Sequence, residues 1–172
     1  MKRIVITGAE CTGKSTLAQA LSGYYGEPWT AEFVRNYVDQ TDHELKMEDL
    51  EPIARGQLAL EDESLSKANR FVIHDTNLLS SIIYANHYFN TVIDWVNDEF
   101  VSREYNLYLF CQPDIPWKAD SKQRESAESR AQLHNIFKAS IERLKLPCVE
   151  IAGDKLKRFG LAVSAIDELL KD

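Results

Sequence analysis

Gly8-Ala9-Glu10-Cys11-Thr12-Gly13-Lys14-Ser15 is the stretch that decides the fold. It matches the spacing G-x-x-x-x-G-K-[ST], and its flanks supply the context that spacing needs. Before it, Ile4-Val5-Ile6 is a short β-branched run, which suits a strand buried on both faces and predicts β-structure over Lys2–Thr7. After it, Leu17, Ala20, Leu21 and Tyr24 recur at helical spacing and predict a helix over Lys14–Tyr25, closed by Gly26-Glu27-Pro28. A glycine-bearing turn between a strand and a helix lets successive backbone N–H groups converge on an anion, and the new helix adds its positive end. The nucleotide-binding set is therefore Gly8, Ala9, Glu10, Cys11, Thr12, Gly13, Lys14, Ser15 and Thr16. Lys14 suits the β- and γ-phosphates, the Ser15 hydroxyl suits Mg²⁺, and Thr16 falls near the α-phosphate. Cys11 reads either as a small side chain at a variable loop position or as a thiol activated by the helix N-terminus.

Outward from this loop, strands and helices alternate. Trp29–Ala31 reads as a second strand, Phe33–Val38 as a short helix, and Asp39–Lys46 as a polar connector. A long helix is expected over Asp49–Asn69, with Pro52 near its start and Ile53, Leu60 and Leu65 on its apolar face. Phe71–Asp75 and Asn106–Cys111 read as the third and fourth strands, separated by helical segments over Leu78–Phe100. Tyr84, Tyr88, Phe89 and Trp95 in those segments read as core. A charged stretch, Gln112–Arg130, precedes a helix reaching about Leu144. Cys148–Ile151 is a fifth strand, and Leu156, Phe159, Val163, Ile166 and Leu170 stripe a last helix. This alternation predicts an α/β fold with a five-stranded parallel sheet and helices on both faces.

Parallel strands open their C-terminal ends onto one crevice, which places three further features there. Asp75 ends the third strand and reads as a Mg²⁺ ligand beside Ser15 or as a cap for the next helix. Glu32 and Arg35 follow the second strand, and a carboxylate there either takes a proton from an acceptor hydroxyl or pairs with Arg35. Lys118, Lys122, Arg124 and Arg130 follow the fourth strand and form either a basic lid or a solvated loop and helix face. His74, one residue before Asp75, faces the other side of the sheet and reads as a packed histidine.

Composition removes other classes. With 20 Lys+Arg against 27 Asp+Glu, the net charge of −7 in 172 residues argues against a nucleic-acid partner or an anionic lipid surface. The Cys11, Cys111 and Cys148 thiols are far apart and form no C-x-x-C pair, so a disulfide framework or zinc cluster is not expected and a cytoplasmic location is. No apolar run approaches the ~20 residues of a membrane span, and the N-terminus is too short in apolar residues for a signal peptide. Length and the lack of a boundary signal predict a single domain over 1–172, with a lid at about 113–131.

Together these residues resemble the ribosylnicotinamide kinase domain of the NadR-type proteins, a branch of the P-loop kinases. The resemblance rests on Gly8-Ala9-Glu10 with Thr12-Gly13-Lys14-Ser15-Thr16-Leu17-Ala18, on Glu32-Phe33-Val34-Arg35-Asn36-Tyr37, and on Ile53-Ala54-Arg55-Gly56-Gln57. Asp75-Thr76, the distinctive Pro113-Asp114-Ile115-Pro116-Trp117, and Ile151–Gly153 with Arg158 complete it. Where the family has Asp-Gly and then Arg after the Pro-Trp motif, this chain has Asp120-Ser121, and Arg124 is the nearest arginine. The resemblance implies a P-loop kinase fold, ATP and Mg²⁺ as cofactors, and nicotinamide riboside as the small-molecule acceptor, phosphorylated to nicotinamide mononucleotide. On that reading the catalytic residues are Lys14, Glu32, Asp75, Arg124 and Arg130, with Ser15 and Asp75 on the metal. Glu32, Arg35, Gln57, Asp114 and Trp117 shape the acceptor site, and Trp117 is either a substrate contact or a packing anchor. Glu32 is the first choice of base and Asp75 the reserve. His43, His74, His87 and His134 build no His-x-Gly-His motif, so neither adenylyl transfer nor repression is expected. A kinase for another nucleoside or small metabolite, and a nucleotide-dependent switch or ATPase, are the alternatives.

Overall fold

The structure is a computed structural model that describes residues 1–41, 43–118 and 126–171. Along the chain run β1 (Lys2–Thr7), α1 (Lys14–Tyr25), β2 (Trp29–Thr30), α2 (Phe33–Thr41), a 3₁₀ turn (Met47–Asp49), α3 (Leu50–Ser66), β3 (Phe71–Asp75), α4 (Leu78–Phe89), α5 (Asp94–Ser102), β4 (Leu107–Cys111), α6 (Ala127–Arg143), β5 (Cys148–Ile151) and α7 (Lys155–Leu169). The five strands form one sheet in the order β2-β3-β1-β4-β5, and every pairing is parallel. The expected α/β architecture is what forms.

Alternation along the central strands sorts side chains to the two faces. Ile4, Ile6, Phe71, Ile73, Leu107 and Leu109 pack with Leu17, Ala18 and Leu21 of α1 and Ala162 and Ile166 of α7. Val5, Tyr108 and Phe110 pack with Leu79 and Ile83 of α4 and Leu133 and Phe137 of α6. Among the described residues no helix is long and apolar enough to cross a membrane.

Several helix faces differ from the expected ones. In α1 the buried stripe is Lys14, Leu17, Ala18 and Leu21, while Tyr24 is 61 % exposed. The helix starts on Lys14, so its inner face is counted from there. Leu156, expected in the stripe of α7, is 81 % exposed in the first turn, and Arg158 takes the inward position ahead of Ala162 and Ile166. In α3 only Ile53 of the three expected apolar positions is fully buried; the stripe continues through Ala54, Gln57 and Glu61. Helix α6 begins at Ala127, where the Ser126 side chain caps it by accepting from the Ser129 N–H at 3.1 Å, so Ala127–Arg130 are helical. The second strand stops at Thr30, one residue short of the expected end.

Gly56 lets α2 lie against α3. A Cβ at this position would stand 2.2 Å from the Phe33 ring. Gly56→Ala is expected to destabilise the fold by about 1–3 kcal/mol through overpacking, although alanine favours an exposed helix by about 1 kcal/mol over glycine. Urea unfolding of the two proteins measures the balance, and a more stable variant would show that Phe33 yields freely.

Candidate nucleotide and acceptor site

The C-terminal ends of β1 and β3 lie side by side, with Ile6 opposite Asp75 in the register. β1 turns at Gly8, where φ is +136°. A Cβ there would stand 2.8 Å from the Cys111 carbonyl oxygen, so both the backbone angle and the space admit only glycine. Gly13, at φ +82°, opens α1 without a side-chain cap, leaving the first turn free for an anion. Within the loop, Ala9 O accepts from Thr12 Oγ1 at 2.8 Å and from Lys14 Nζ at 2.9 Å.

Lys14 is buried beside three carboxylates. Burial alone would push its ammonium toward deprotonation, but Glu10, Glu32 and Asp75 together hold its pKa above the ordinary value. Ser15 Oγ donates to Asp75 Oδ2 at 2.5 Å. The other oxygen, Asp75 Oδ1, is buried with no hydrogen-bond partner among the described residues. Burial raises the pKa of Asp75, with Lys14 and the Ser15 hydroxyl acting against it. The capping alternative falls to Asn77 instead, whose Oδ1 accepts from the Leu79 N–H at 3.2 Å. Thr76 between them sits at φ +69°, the kind of left-handed backbone that lets β3 end and α4 begin within two residues.

Glu32 follows β2 and is buried. Its Oε2 accepts from Arg35 Nε at 2.9 Å, while Arg35 itself is half exposed. Burial and the neighbouring Glu10 push the Glu32 carboxyl up to about 7, against the pull of Lys14 and Arg35. Gln57 of α3 secures this corner: its Oε1 accepts from the Phe33 N–H at 2.9 Å, and its Nε2 is buried without a partner among the described residues.

Two residues of this site have roles beyond those the sequence suggests. Glu10 belongs to the phosphate-binding loop, yet its carboxylate accepts from Tyr84 OH of α4 at 2.9 Å and acts on Lys14 and Glu32. Tyr84, which packs against the core as expected, also faces the site through its hydroxyl. A signal for this is present in the motif, since a carboxylate within an anion nest must turn away from it.

The segment after β4 lies along the outside of the phosphate loop. Cys11 Sγ donates to Lys118 O at 3.4 Å. Arg130 Nη1 donates to Ile115 O at 2.9 Å and to Cys11 O at 3.4 Å. The Asp114 carboxylate is engaged by the Arg158 guanidinium and by the Gly153 N–H, at 2.6 Å, which hold its pKa low despite some burial. Trp117 is half-buried in the same segment. Lys122 and Arg124 lie outside the described residues.

The residues fit a magnesium ion. Asp75 and Ser15 offer hard oxygen donors, and one buried carboxylate oxygen has no other use among the described residues. No group of three or more His, Cys, Asp or Glu among the described residues is arranged to hold a metal.

A glycine-bearing strand–loop–helix at the C-terminal end of the central strand of a parallel sheet, with Glu10, Glu32 and Asp75 around its lysine, defines a P-loop protein with a kinase-like fold. The chain belongs to the AAA domain family AAA_28, whose model matches residues 3–158. It is 22 % identical over 176 residues to the trifunctional NAD biosynthesis/regulator protein NadR of Escherichia coli (strain K12), covering 99 % of this chain and 43 % of that protein. Solved structures of NadR, one with NAD and AMP-PNP and one with NR, superpose with a TM-score of 0.84 at 23 % and 24 % identity. They are covered over 50 % and 49 % of their length, and this chain over 99 % and 98 %. Deoxyadenosine kinase from M. mycoides, with dCMP and dCDP bound, has a TM-score of 0.63 at 15 % identity, over 96 % of this chain and 99 % of that one. The chain thus spans about half the length of its NadR relatives, and its likeness to the solved NadR structures lies in the fold.

Proposed function

We propose that this protein transfers the γ-phosphoryl group of ATP to the 5′-hydroxyl of nicotinamide riboside. The observation that carries the proposal is the convergence of Lys14, the Ser15–Asp75 pair and the Glu32 carboxylate at one end of the sheet. The phosphate loop and Lys14 place the triphosphate. Ser15 and Asp75 would hold Mg²⁺, which supplies charge neutralisation on the phosphates when bound. Glu32 accepts the proton as the hydroxyl oxygen bonds to phosphorus and the bond from phosphorus to the β,γ-bridging oxygen breaks, releasing ADP. A carboxyl poised near 7 suits that proton transfer at physiological pH.

The acceptor is inferred from charge and from the NadR likeness. Glu10, Glu32 and Asp75 outnumber Lys14 and Arg35, so the site tolerates a pyridinium cation such as that of nicotinamide riboside. Gln57 Nε2 is the proposed contact beyond the ribose. The second reading, a kinase for another nucleoside, is favoured by the likeness to deoxyadenosine kinase. Mass spectrometry of product formed from ATP, Mg²⁺ and a nucleoside panel decides between them. Nicotinamide mononucleotide as the dominant product supports the proposal. A different nucleotide supports the second reading, and ADP without any phosphorylated acceptor overturns both.

A further inference from the structure

Arg158 and Arg130 both end on backbone carbonyls of the phosphate loop. Arg158 is 5 % exposed, and each nitrogen of its guanidinium bonds to the fold. Nε donates to Gly153 O at 2.7 Å, Nη1 to Thr12 O at 2.7 Å, and Nη2 to Gln112 O at 2.8 Å and to the Asp114 carboxylate. One side chain thereby ties the phosphate loop to the ends of β4 and β5. Arg130, from the first turn of α6, reaches the preceding carbonyl, Cys11 O.

The peptide unit is planar and trans, so its C=O and N–H point in opposite directions. A donor fixed on Cys11 O sets the direction of the Thr12 N–H, and a donor fixed on Thr12 O sets that of the Gly13 N–H. These are consecutive N–H groups of the anion nest. We propose that Arg130 and Arg158 are positioning residues that preset the phosphate nest from outside, each by holding one loop carbonyl, without touching the phosphates. The assignment gives Arg130 a role other than neutralising the transferred phosphoryl group. It rests only on the phosphate-binding half of the proposed function and is independent of the acceptor.

Arg158 separates this from a direct phosphate contact, because it is buried and its guanidinium is committed to acceptors of the fold. Arg130 makes its bonds to Cys11 O of the loop and to Ile115 O through Nη1 alone, so a lysine of similar reach can replace it. Arg158 uses a planar fork on four acceptors, which an ammonium cannot reproduce. The test is calorimetric titration of inorganic tripolyphosphate and of ATP into the wild-type chain and its Arg130→Ala, Arg130→Lys, Arg158→Ala and Arg158→Lys variants, with the KM of the acceptor measured alongside. Both alanine variants and Arg158→Lys are expected to bind tripolyphosphate about tenfold more weakly, the scale of one lost charge-assisted hydrogen bond. Arg130→Lys is expected to bind within about twofold of wild type, and the acceptor KM to stay within about twofold throughout. Arg158→Lys retaining wild-type affinity, or both alanine variants doing so, overturns the inference. A parallel rise in acceptor KM also overturns it, because general loosening of the fold would do that. Should Arg158→Ala fail to fold, Arg130→Ala and Arg158→Lys still decide. Failure of the acceptor assignment shows in the nucleoside panel instead, so the two outcomes are distinguishable.

Discussion

Lys14→Ala is expected to lose turnover by about 10³-fold or more while the protein remains folded at mildly acid pH. The rate loss follows from removing the only side-chain cation that the described phosphate loop itself contributes, at a point where developing charge must be balanced in a water-poor site. The folding consequence is the more diagnostic part. Lys14 compensates Glu10, Glu32 and Asp75, and Glu32 already stands at about 7 with the lysine in place. Without it, the folded-state pKa values of Glu32 and Asp75 rise further. An acid whose folded pKa lies above its unfolded value keeps full stability below the unfolded pKa and loses it as pH rises through the folded one. The gap in melting temperature between wild type and Lys14→Ala should therefore be small near pH 5 and widen toward pH 8. Melts at the two pH values, beside a turnover assay, check both parts. Near-normal turnover would remove the kinase reading, and a pH-independent gap would show that the carboxylates do not sense Lys14.

The elements most legible in the sequence are those whose chemistry is local. The phosphate loop demands glycine at Gly8 because a Cβ would collide with the Cys111 carbonyl, and that demand is written in the motif itself. The buried strands announce themselves as apolar runs, and Asp75 at the end of one of them meets Ser15 as its position implied. What stayed hidden depends on partners far apart in the chain. Glu10 meets Tyr84 across 74 residues, and Arg158 meets Thr12 across 146. Hydrophobic periodicity carries no trace of a side chain reaching for a distant carbonyl. Yet the inward face of α7 did hold a clue, because Arg158, Ala162 and Ile166 recur at four-residue spacing. An arginine on a buried stripe must have its donors met by the fold. Gln57 and Glu61, polar residues that continue the buried stripe of α3 from Ile53, each meet such a partner through one oxygen, the Phe33 N–H and the Tyr105 hydroxyl.

Glu32→Gln separates the two readings of that residue, proton acceptor or partner for Arg35. If Glu32 takes the hydroxyl proton, kcat is expected to fall by about 10²–10⁴-fold, the range for loss of general-base help. The pH dependence carries the sharper test. Because kcat/KM reports the free enzyme, the wild-type profile should rise with pH to a plateau with a midpoint near 7, where the buried carboxyl ionises. The glutamine variant has no proton to lose and should lack that limb. Stability should move the other way. Glu32 is held above its ordinary value of 4.5, so its contribution is fully present below that pH and is lost as the pH climbs toward 7. Removing the titration should leave Glu32→Gln gaining on the wild type between pH 5 and pH 8 in urea unfolding. The broken contact with Arg35 offsets little of this, since that arginine is half exposed and its charge stays hydrated. A variant with normal kcat and an unchanged acid limb would return the base to Asp75. It would leave Glu32 as a structural ion-pair partner, its buried charge serving only to balance Lys14 and Arg35.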